Sequence, residues 1–137
     1  MSAGAETPTA PRAVVFCDVD ETLINCKTMF DFLDYYLTGE YGEAGRRRAE
    51  LTRRELTAKA ATGTPREQAN REYYRAWKGE RAATVERAAG QWWAVRSARP
   101  DFPIAATWAE LAGHRAKGFH FRTISHNQQF GLYRRLA

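Results

Sequence analysis

The chain has 137 residues, a length that suits a single domain. It carries a net charge of +5, and 44% of its residues are hydrophobic. No apolar run approaches the roughly 18 residues that a membrane span requires, and the start lacks the apolar segment of a secretory signal, so we expect a cytoplasmic protein without membrane contact.

The first predicted element is a short strand. Residues 1–11 are small, polar and Pro-containing, which predicts a disordered N-terminus. Residues 13–17 (AVVFC) form a continuous apolar run, whose length and β-branched content favour a strand buried on both faces. Asp18 to Thr22 then form the loop that leaves this strand.

A long helical block follows. Apolar residues at helical spacing predict a helix over 28–38, and Gly39 and Gly42 separate it from a second helix. Thr64, Pro65 and Glu67 are typical of a capping box that starts the third helix. The remaining predicted helices cover 43–61, 64–79, 81–98 and 104–117, the last with Trp108 and Leu111 facing inward.

A second strand is predicted at 119–124, with Ser125 at its tip, and the final segment has a pattern compatible with a helix. Two strands joined by a helical crossover are expected to pair in parallel. In parallel sheets ligands bind beyond the carboxyl ends of the strands. Asp18, Asp20, Thr22 and Ser125 all fall at those ends.

These residue types suit phosphate chemistry. Two carboxylates in different environments can serve as a nucleophile and a proton donor. Mg²⁺ prefers oxygen ligands and commonly bridges a carboxylate and a substrate phosphate. The hydroxyls of Thr22 and Ser125 would hydrogen-bond phosphate oxygens. The Asp-x-Asp-x-Thr string alone is weakly specific, and the strand before it and the serine after the second strand make it more so.

The stretch FCDVDETL resembles motif I of the haloacid dehalogenase-like hydrolase superfamily. The helices after it and the stretch LAGHRAKGFHFRTIS resemble the phosphoserine phosphatase-like subgroup. The resemblance implies an α/β fold, an incomplete doubly wound (Rossmann-like) parallel sheet with an inserted α-helical cap. The implied core covers 12–27 and 101–137, and the implied cap covers 28–100.

The resemblance also assigns roles. Asp18 would be the nucleophile that becomes an aspartyl phosphate, and Asp20 the general acid and base. Both would hold Mg²⁺, Asp20 through its backbone carbonyl. Thr22 and Ser125 would bind the phosphoryl group of a phosphorylated small molecule. Glu21 stands where the family often has Gly.

The sequence departs from the family beyond Ser125. No acidic residue follows Glu110 and no Lys follows Lys117, so the Lys of motif III and the acidic residues of motif IV are missing. The sequence therefore indicates a homologue truncated after motif II. Because electrostatic stabilisation usually contributes most to such catalysis, we expect weak or lost phosphatase activity.

Other functions remain open at this stage. The main alternative is a non-catalytic regulator that binds a partner or a phospho-ligand, and exposed sheet edges would favour a protein partner or self-association. The excess positive charge lies within residues 111–137, but no recognised motif supports nucleic-acid binding. His114, His120 and His126 match no metal-ligand spacing and are interpreted as surface or packed residues.

Overall fold

A computed structural model of the protein describes residues 13–124. The elements in chain order are β1 (Val14–Asp18), α1 (Thr28–Ala61), α2 (Arg66–Arg75), α3 (Ala82–Ser97), α4 (Ala105–Ala116) and β2 (His120–Ile124). The predictions for residues 1–11, for Ser125 and His126, and for the final segment lie outside the described residues.

β1 and β2 form a parallel pair. Val14 lies opposite His120 and Asp18 opposite Ile124, so the strands run in register along their whole length. The parallel pairing predicted from the helical crossover is therefore confirmed. Within residues 13–124 the sheet has these two strands and no others, so a doubly wound sheet is not shown.

The prediction that β1 is buried on both faces is wrong. Cys17 is buried, but 45% of Val14 and 65% of Phe16 are exposed. Successive side chains of a strand point to opposite faces of the sheet. The described helices therefore cover only the face that carries Cys17, while the face of Val14 and Phe16 is open in the described part of the chain.

The two helices predicted on either side of Gly42 follow each other directly within α1, with a sharp kink at that glycine. Gly42 has φ 62° and ψ −140°, a conformation open essentially only to glycine. The break folds the second half of the helix back, and Gly45 then lies directly against the backbone of Leu37. The glycine signal thus located the turn correctly.

The capping box predicted at Thr64 is not formed. Pro65 precedes the first residue of α2, and no side chain caps the helix. The Pro65 carbonyl accepts hydrogen bonds from the N–H groups of Gln68 and Ala69 at 3.1 Å, so the helix starts one residue later than a Thr64 cap requires. At its other end α2 continues as tight turns to Gly79, whose φ is 87°.

The core of the helical block is aromatic. Tyr36, Tyr73 and Trp92 are among the largest fully buried side chains, and Phe32 packs between the rings of Trp77 and Trp92. Aromatic packing therefore joins the helices of this block. None of the described helices is both long enough and apolar enough to cross a bilayer.

Candidate active site

The loop after β1 is held in place by its own hydrogen bonds and by its buried apolar side chains. The carbonyl of Val19 accepts hydrogen bonds from the N–H groups of Thr22, Leu23 and Ile24 at 2.9–3.3 Å. Val19, Leu23 and Ile24 are fully buried, with at most 1% exposure. Asp18 and Asp20 flank the buried Val19. The buried apolar side chains therefore fix the loop to the core, and the two acidic residues lie on the side of the loop that faces away from it.

The segment before α4, together with the first turn of α4, also holds this loop through hydrogen bonds. Asn25 donates its N–H to the Phe102 carbonyl at 2.7 Å, and the N–H of Ile104 donates to the Leu23 carbonyl at 2.9 Å. The indole N–H of Trp108, 85 positions further along the sequence, donates to the same Leu23 carbonyl at 3.0 Å. The loop is thus positioned by residues that are distant in the sequence.

Asp20 is held by hydrogen bonds from the first residue of α1. The backbone N–H and the hydroxyl of Thr28 both donate to Oδ2 of Asp20, each at 3.1 Å. Its other oxygen, Oδ1, is buried and has no hydrogen-bond partner among the described residues. Burial raises the pKa of Asp20, the hydrogen bonds from Thr28 oppose that rise, and the negative charges of Asp18 and Glu21 add to it.

Asp18 has a different environment. It is the last residue of β1 and its side chain is exposed. The loop therefore presents an exposed carboxylate and a half-buried one two residues apart, which is the arrangement that separates a nucleophile from a proton donor.

Glu21 occupies a strained position in the same loop. Its φ is 57°, the left-handed region that glycine adopts most easily. The conformation gives a physical reason for the glycine that the resembled family often has at this place.

A cleft of about 450 Å³ lies over the loop and joins it to the helical block. Its lining residues come from the loop, from both ends of α1 and from the start of α2: Asp18, Asp20, Glu21, Lys27, Met29, Phe30, Leu56, Ala60, Thr64, Arg66, Ala69 and Asn70. This volume is within the range of small-molecule sites. A second cavity of about 590 Å³ beside α1 contains neither Asp18 nor Asp20.

The structure brings only some of the sequence-predicted residues together. Asp18 and Asp20 share the cleft, whereas Thr22 is half-buried and is not among the residues that line it. Ser125 lies outside the described residues. The phosphate-binding roles of Thr22 and Ser125 therefore stay predictions.

Sequence reasoning missed Lys27, Thr28, Arg66 and Asn70. A threonine at the start of a predicted helix was an available signal for Thr28, because helix N-termini favour carboxylate partners. Arg66 and Asn70 reach the cleft only because α2 packs against α1, and no local pattern encodes that contact.

The cysteines offer no alternative nucleophile. Cys17 and Cys26 are free thiols. Burial raises the pKa of both, that of Cys26 to about 12. Both are therefore protonated at neutral pH, and a thiol is a far weaker nucleophile than a thiolate.

Comparisons with known proteins agree with this geometry. A family model described as haloacid dehalogenase-like hydrolase matches residues 15–136. No curated protein matches the sequence. A crystal structure of a protein with unknown function from Bordetella pertussis Tohama I is similar, with a TM-score of 0.60 and 20% identity. The match covers 83% of this chain and 51% of that one, so the chain spans about half the length of the solved structure.

Proposed function

The chain belongs to the haloacid dehalogenase-like hydrolase family, and from that membership we propose that it is a phosphatase of the phosphoserine phosphatase-like kind. Its substrate would be a phosphorylated small molecule bound in the cleft above Asp18. In this proposal residues 28–100 act as a cap, and residues 12–27 and 101–137 belong to the core.

The observation that carries the proposal is the contrast between the two carboxylates. Asp18 is open to the cleft, and Asp20 is held by Thr28 with its pKa raised by burial. A raised pKa favours the protonated form, which a general acid needs before it gives up its proton. An exposed carboxylate at the strand end suits nucleophilic attack.

The residues also fit Mg²⁺, on which members of this family generally depend. Among the described residues no three His, Cys, Asp or Glu side chains gather to hold a metal. Yet Mg²⁺ is often bound by one or two carboxylates together with a substrate phosphate, and the exposed carboxylate of Asp18 at the end of β1 lines the cleft. Asp18 and Asp20, the latter through its backbone carbonyl, would hold the ion, which would neutralise charge on the phosphoryl oxygens.

The proposed reaction has two steps. A carboxylate oxygen of Asp18 attacks phosphorus and the ester P–O bond breaks, while Asp20 gives its proton to the departing alcohol oxygen. Water then attacks the aspartyl phosphate and passes a proton to Asp20. The Asp18–phosphate bond breaks, inorganic phosphate leaves, and both carboxyl groups return to their first state. Thr22 and Ser125 would bind the phosphoryl oxygens through their hydroxyls.

We expect turnover by the 137-residue chain itself to be weak. Its sequence has no acidic residue beyond Glu110 and no Lys beyond Lys117. These 137 residues therefore lack the motif III Lys and the motif IV acidic residues that the family uses to neutralise the phosphate and to complete the Mg²⁺ site, and such electrostatic stabilisation usually contributes most to catalysis.

The test is hydrolysis of p-nitrophenyl phosphate with Mg²⁺, followed together with phosphorylation of the protein by mass spectrometry. We expect slow turnover that Asp18→Asn abolishes, and loss of the phosphorylated species in the same variant. Asp101→Asn, a change in an exposed turn, is the matched control and should leave the rate unchanged. Turnover that persists in Asp18→Asn would contradict the proposal.

A second candidate is a non-catalytic regulator derived from such a phosphatase, which binds a partner or a phospho-ligand. The open face of Val14 and Phe16 on β1 favours a protein partner. Ligand binding without any turnover or phosphorylation of Asp18, in the presence of Mg²⁺, would favour this alternative.

A further inference from the structure

Thr28 is a polar residue in an apolar part of the protein. Its side chain is 1% exposed, and within residues 13–124 it is the one polar or charged residue that is buried. Its hydroxyl and its backbone N–H both donate to Oδ2 of Asp20, each at 3.1 Å. Because buried polar groups are stable only with hydrogen-bond partners, Thr28 and Asp20 fix each other's position.

The start of α1 has no cap from its neighbouring residue. The side chain of Lys27, the residue before the helix, makes no capping hydrogen bond, and the first N–H groups of a helix have no partner within it. Asp20, eight positions earlier, accepts the N–H of Thr28. A capping role needs only this backbone bond, whereas the hydroxyl of Thr28 adds a second hydrogen bond to the same oxygen.

The turn that carries Thr28 is fixed by the other helices. The hydroxyl of Tyr73 on α2 donates to the Met29 carbonyl at 2.9 Å. Nε of Arg96 on α3 donates to Oδ2 of Asp31 at 2.7 Å. The two donors of Thr28 are therefore held in a defined place beside the loop that follows β1.

The contact makes the two oxygens of Asp20 unequal. Oδ2 accepts both hydrogen bonds from Thr28, while Oδ1 has no partner among the described residues. A proton on Oδ2 would meet the backbone N–H of Thr28, which is a donor and cannot accept it. Oδ1 is therefore the oxygen suited to carry a proton, and Oδ2 is suited to carry negative charge.

We propose that Thr28 is a positioning residue: its hydroxyl and N–H hold the carboxyl group of Asp20 for proton transfer and stabilise the carboxylate that remains afterwards. The inference rests on the proposed function for the roles of Asp18 and Asp20. As the bond from Asp18 to phosphorus forms and the ester P–O bond breaks, the proton passes from Asp20 to the departing oxygen. The charge left on Asp20 then meets two donors already in place, and hydrogen bonds to a charged acceptor are the stronger ones.

This role makes the effect of Thr28 depend on the leaving group. An alkoxide is a poor leaving group without a proton from a general acid, whereas p-nitrophenolate departs readily as an anion. Benzyl phosphate and p-nitrophenyl phosphate are both aromatic esters, and the first releases an alcohol while the second releases p-nitrophenolate. Loss of the Thr28 hydroxyl should therefore slow hydrolysis of benzyl phosphate much more than that of p-nitrophenyl phosphate.

The test measures kcat/KM of the full 137-residue chain with Mg²⁺ for both esters. This ratio includes departure of the leaving group but not the later hydrolysis of the aspartyl phosphate. We expect Thr28→Val to lower kcat/KM about tenfold for benzyl phosphate and less than about twofold for p-nitrophenyl phosphate. Thr28→Ser keeps the hydroxyl and should restore the value for benzyl phosphate to within about twofold. Asp20→Asn should show the same selectivity with a larger loss.

A second threonine of α1 provides the matched control. Thr38 is exposed and its hydroxyl lies 3.5 Å from Asp34, so Thr38→Val should leave both values of kcat/KM unchanged. Thermal melting verifies that each variant is folded. Thr28→Ala removes the same hydroxyl without a branched side chain and should give the selectivity of Thr28→Val, which keeps the test available if the valine variant does not fold.

The outcomes separate this inference from the proposed function. Equal losses for the two esters, or no recovery in Thr28→Ser, would overturn the inference and leave Thr28 with a structural role at the start of α1. Hydrolysis that depends on Asp18 would still support the proposed function in that case. If the unmodified chain hydrolyses neither ester, the proposed function fails and the inference fails with it.

Discussion

Asp20 is held in surroundings that oppose its own charge. Its Oδ1 is buried without a partner among the described residues, and Asp18 and Glu21 add negative charge nearby. The two hydrogen bonds from Thr28 offset only part of this cost, so the pKa of Asp20 remains raised. These surroundings reduce the stability of the fold wherever Asp20 is charged, and such a cost is common for residues with the catalytic role proposed for Asp20.

We therefore expect Asp20→Asn to stabilise the protein at neutral pH by about 1 kcal/mol. Because the folded-state pKa is raised, the charged form costs stability at pH values above that pKa, and the cost disappears below the unfolded pKa near pH 4. The gain from the substitution should accordingly be largest at pH 7 and vanish as the pH approaches about 4. Urea unfolding at a series of pH values measures it.

Asp101→Asn provides the comparison, because Asp101 is exposed in a turn and makes no ion pair with a described residue. Its free energy of unfolding should follow that of the unmodified chain at every pH. A destabilised Asp20→Asn protein at pH 7 would show that the carboxylate is favoured in the folded state and would remove its role as a ready proton donor.

The sequence was informative about residues whose role is local. Asp18 and Asp20 could be identified because the strand, the loop and the spacing of the two carboxylates all lie within one short stretch. The presence of Lys27 and Arg66 in the same cleft could not be predicted, since it depends on two helices meeting over the loop. Thr28 lies between these cases, because its helix was predicted but its carboxylate partner was not.

At the level of elements, α1 depends on two glycines with different tasks. Gly42 provides the left-handed conformation of the break, with φ 62°. Gly45 provides space, because a Cβ there would overlap the carbonyl group of Leu37, whereas a Cβ added at Gly39 would meet nothing within 4 Å. The sequence pattern marked the break at Gly42, but the close contact of Gly45 follows from the fold-back itself.

We expect Gly45→Ala to destabilise the protein by about 2 kcal/mol or more, because backbone atoms must shift to admit the methyl group. Gly39→Ala, in the same helix, should instead stabilise it by roughly 0.5–1 kcal/mol, because alanine loses less conformational freedom on helix formation. Thermal and urea unfolding measure both. Effects of equal sign and size would show that helix propensity, not contact with Leu37, dominates at Gly45.

Two features of the elements could not be predicted from the sequence pattern: which face of β1 is covered, and at which residue α2 begins. The apolar run over 13–17 located the strand but not which of its faces is covered, since that depends on packing by distant helices. Thr64, Pro65 and Glu67 correctly indicated a helix start, yet the helix begins after Pro65. Capping signals compete over neighbouring residues, and their outcome depends on backbone geometry that the sequence pattern does not specify.

At the scale of the whole molecule, α1 and α3 are joined by a charged contact across their aromatic packing. Oδ2 of Asp31 accepts hydrogen bonds from the indole N–H of Trp92 at 2.6 Å and from Nε of Arg96 at 2.7 Å. Arg96 is largely buried and also lies over the ring of Tyr35. Asp31 and Arg96 are 65 positions apart in the sequence, so no local pattern pairs them.

α1 also carries Thr28, which holds Asp20. Loosening the contact of Asp31 with α3 should therefore also affect the start of α1 and the hydrogen bonds to Asp20. We expect Asp31→Asn to reduce the free energy of unfolding by about 2 kcal/mol, because Arg96 keeps its charge in a poorly solvated position and loses its charged acceptor. Asp34→Asn is the matched control, one turn further along α1 and exposed, and its effect should stay within about 0.5 kcal/mol.

Urea unfolding gives both values, and hydrogen exchange at the Thr28 amide reports whether the start of α1 opens more often. Equal stability of the two variants would mean that the aromatic packing alone joins α1 to α3, and unchanged exchange at Thr28 would mean that the grip on Asp20 is independent of that junction.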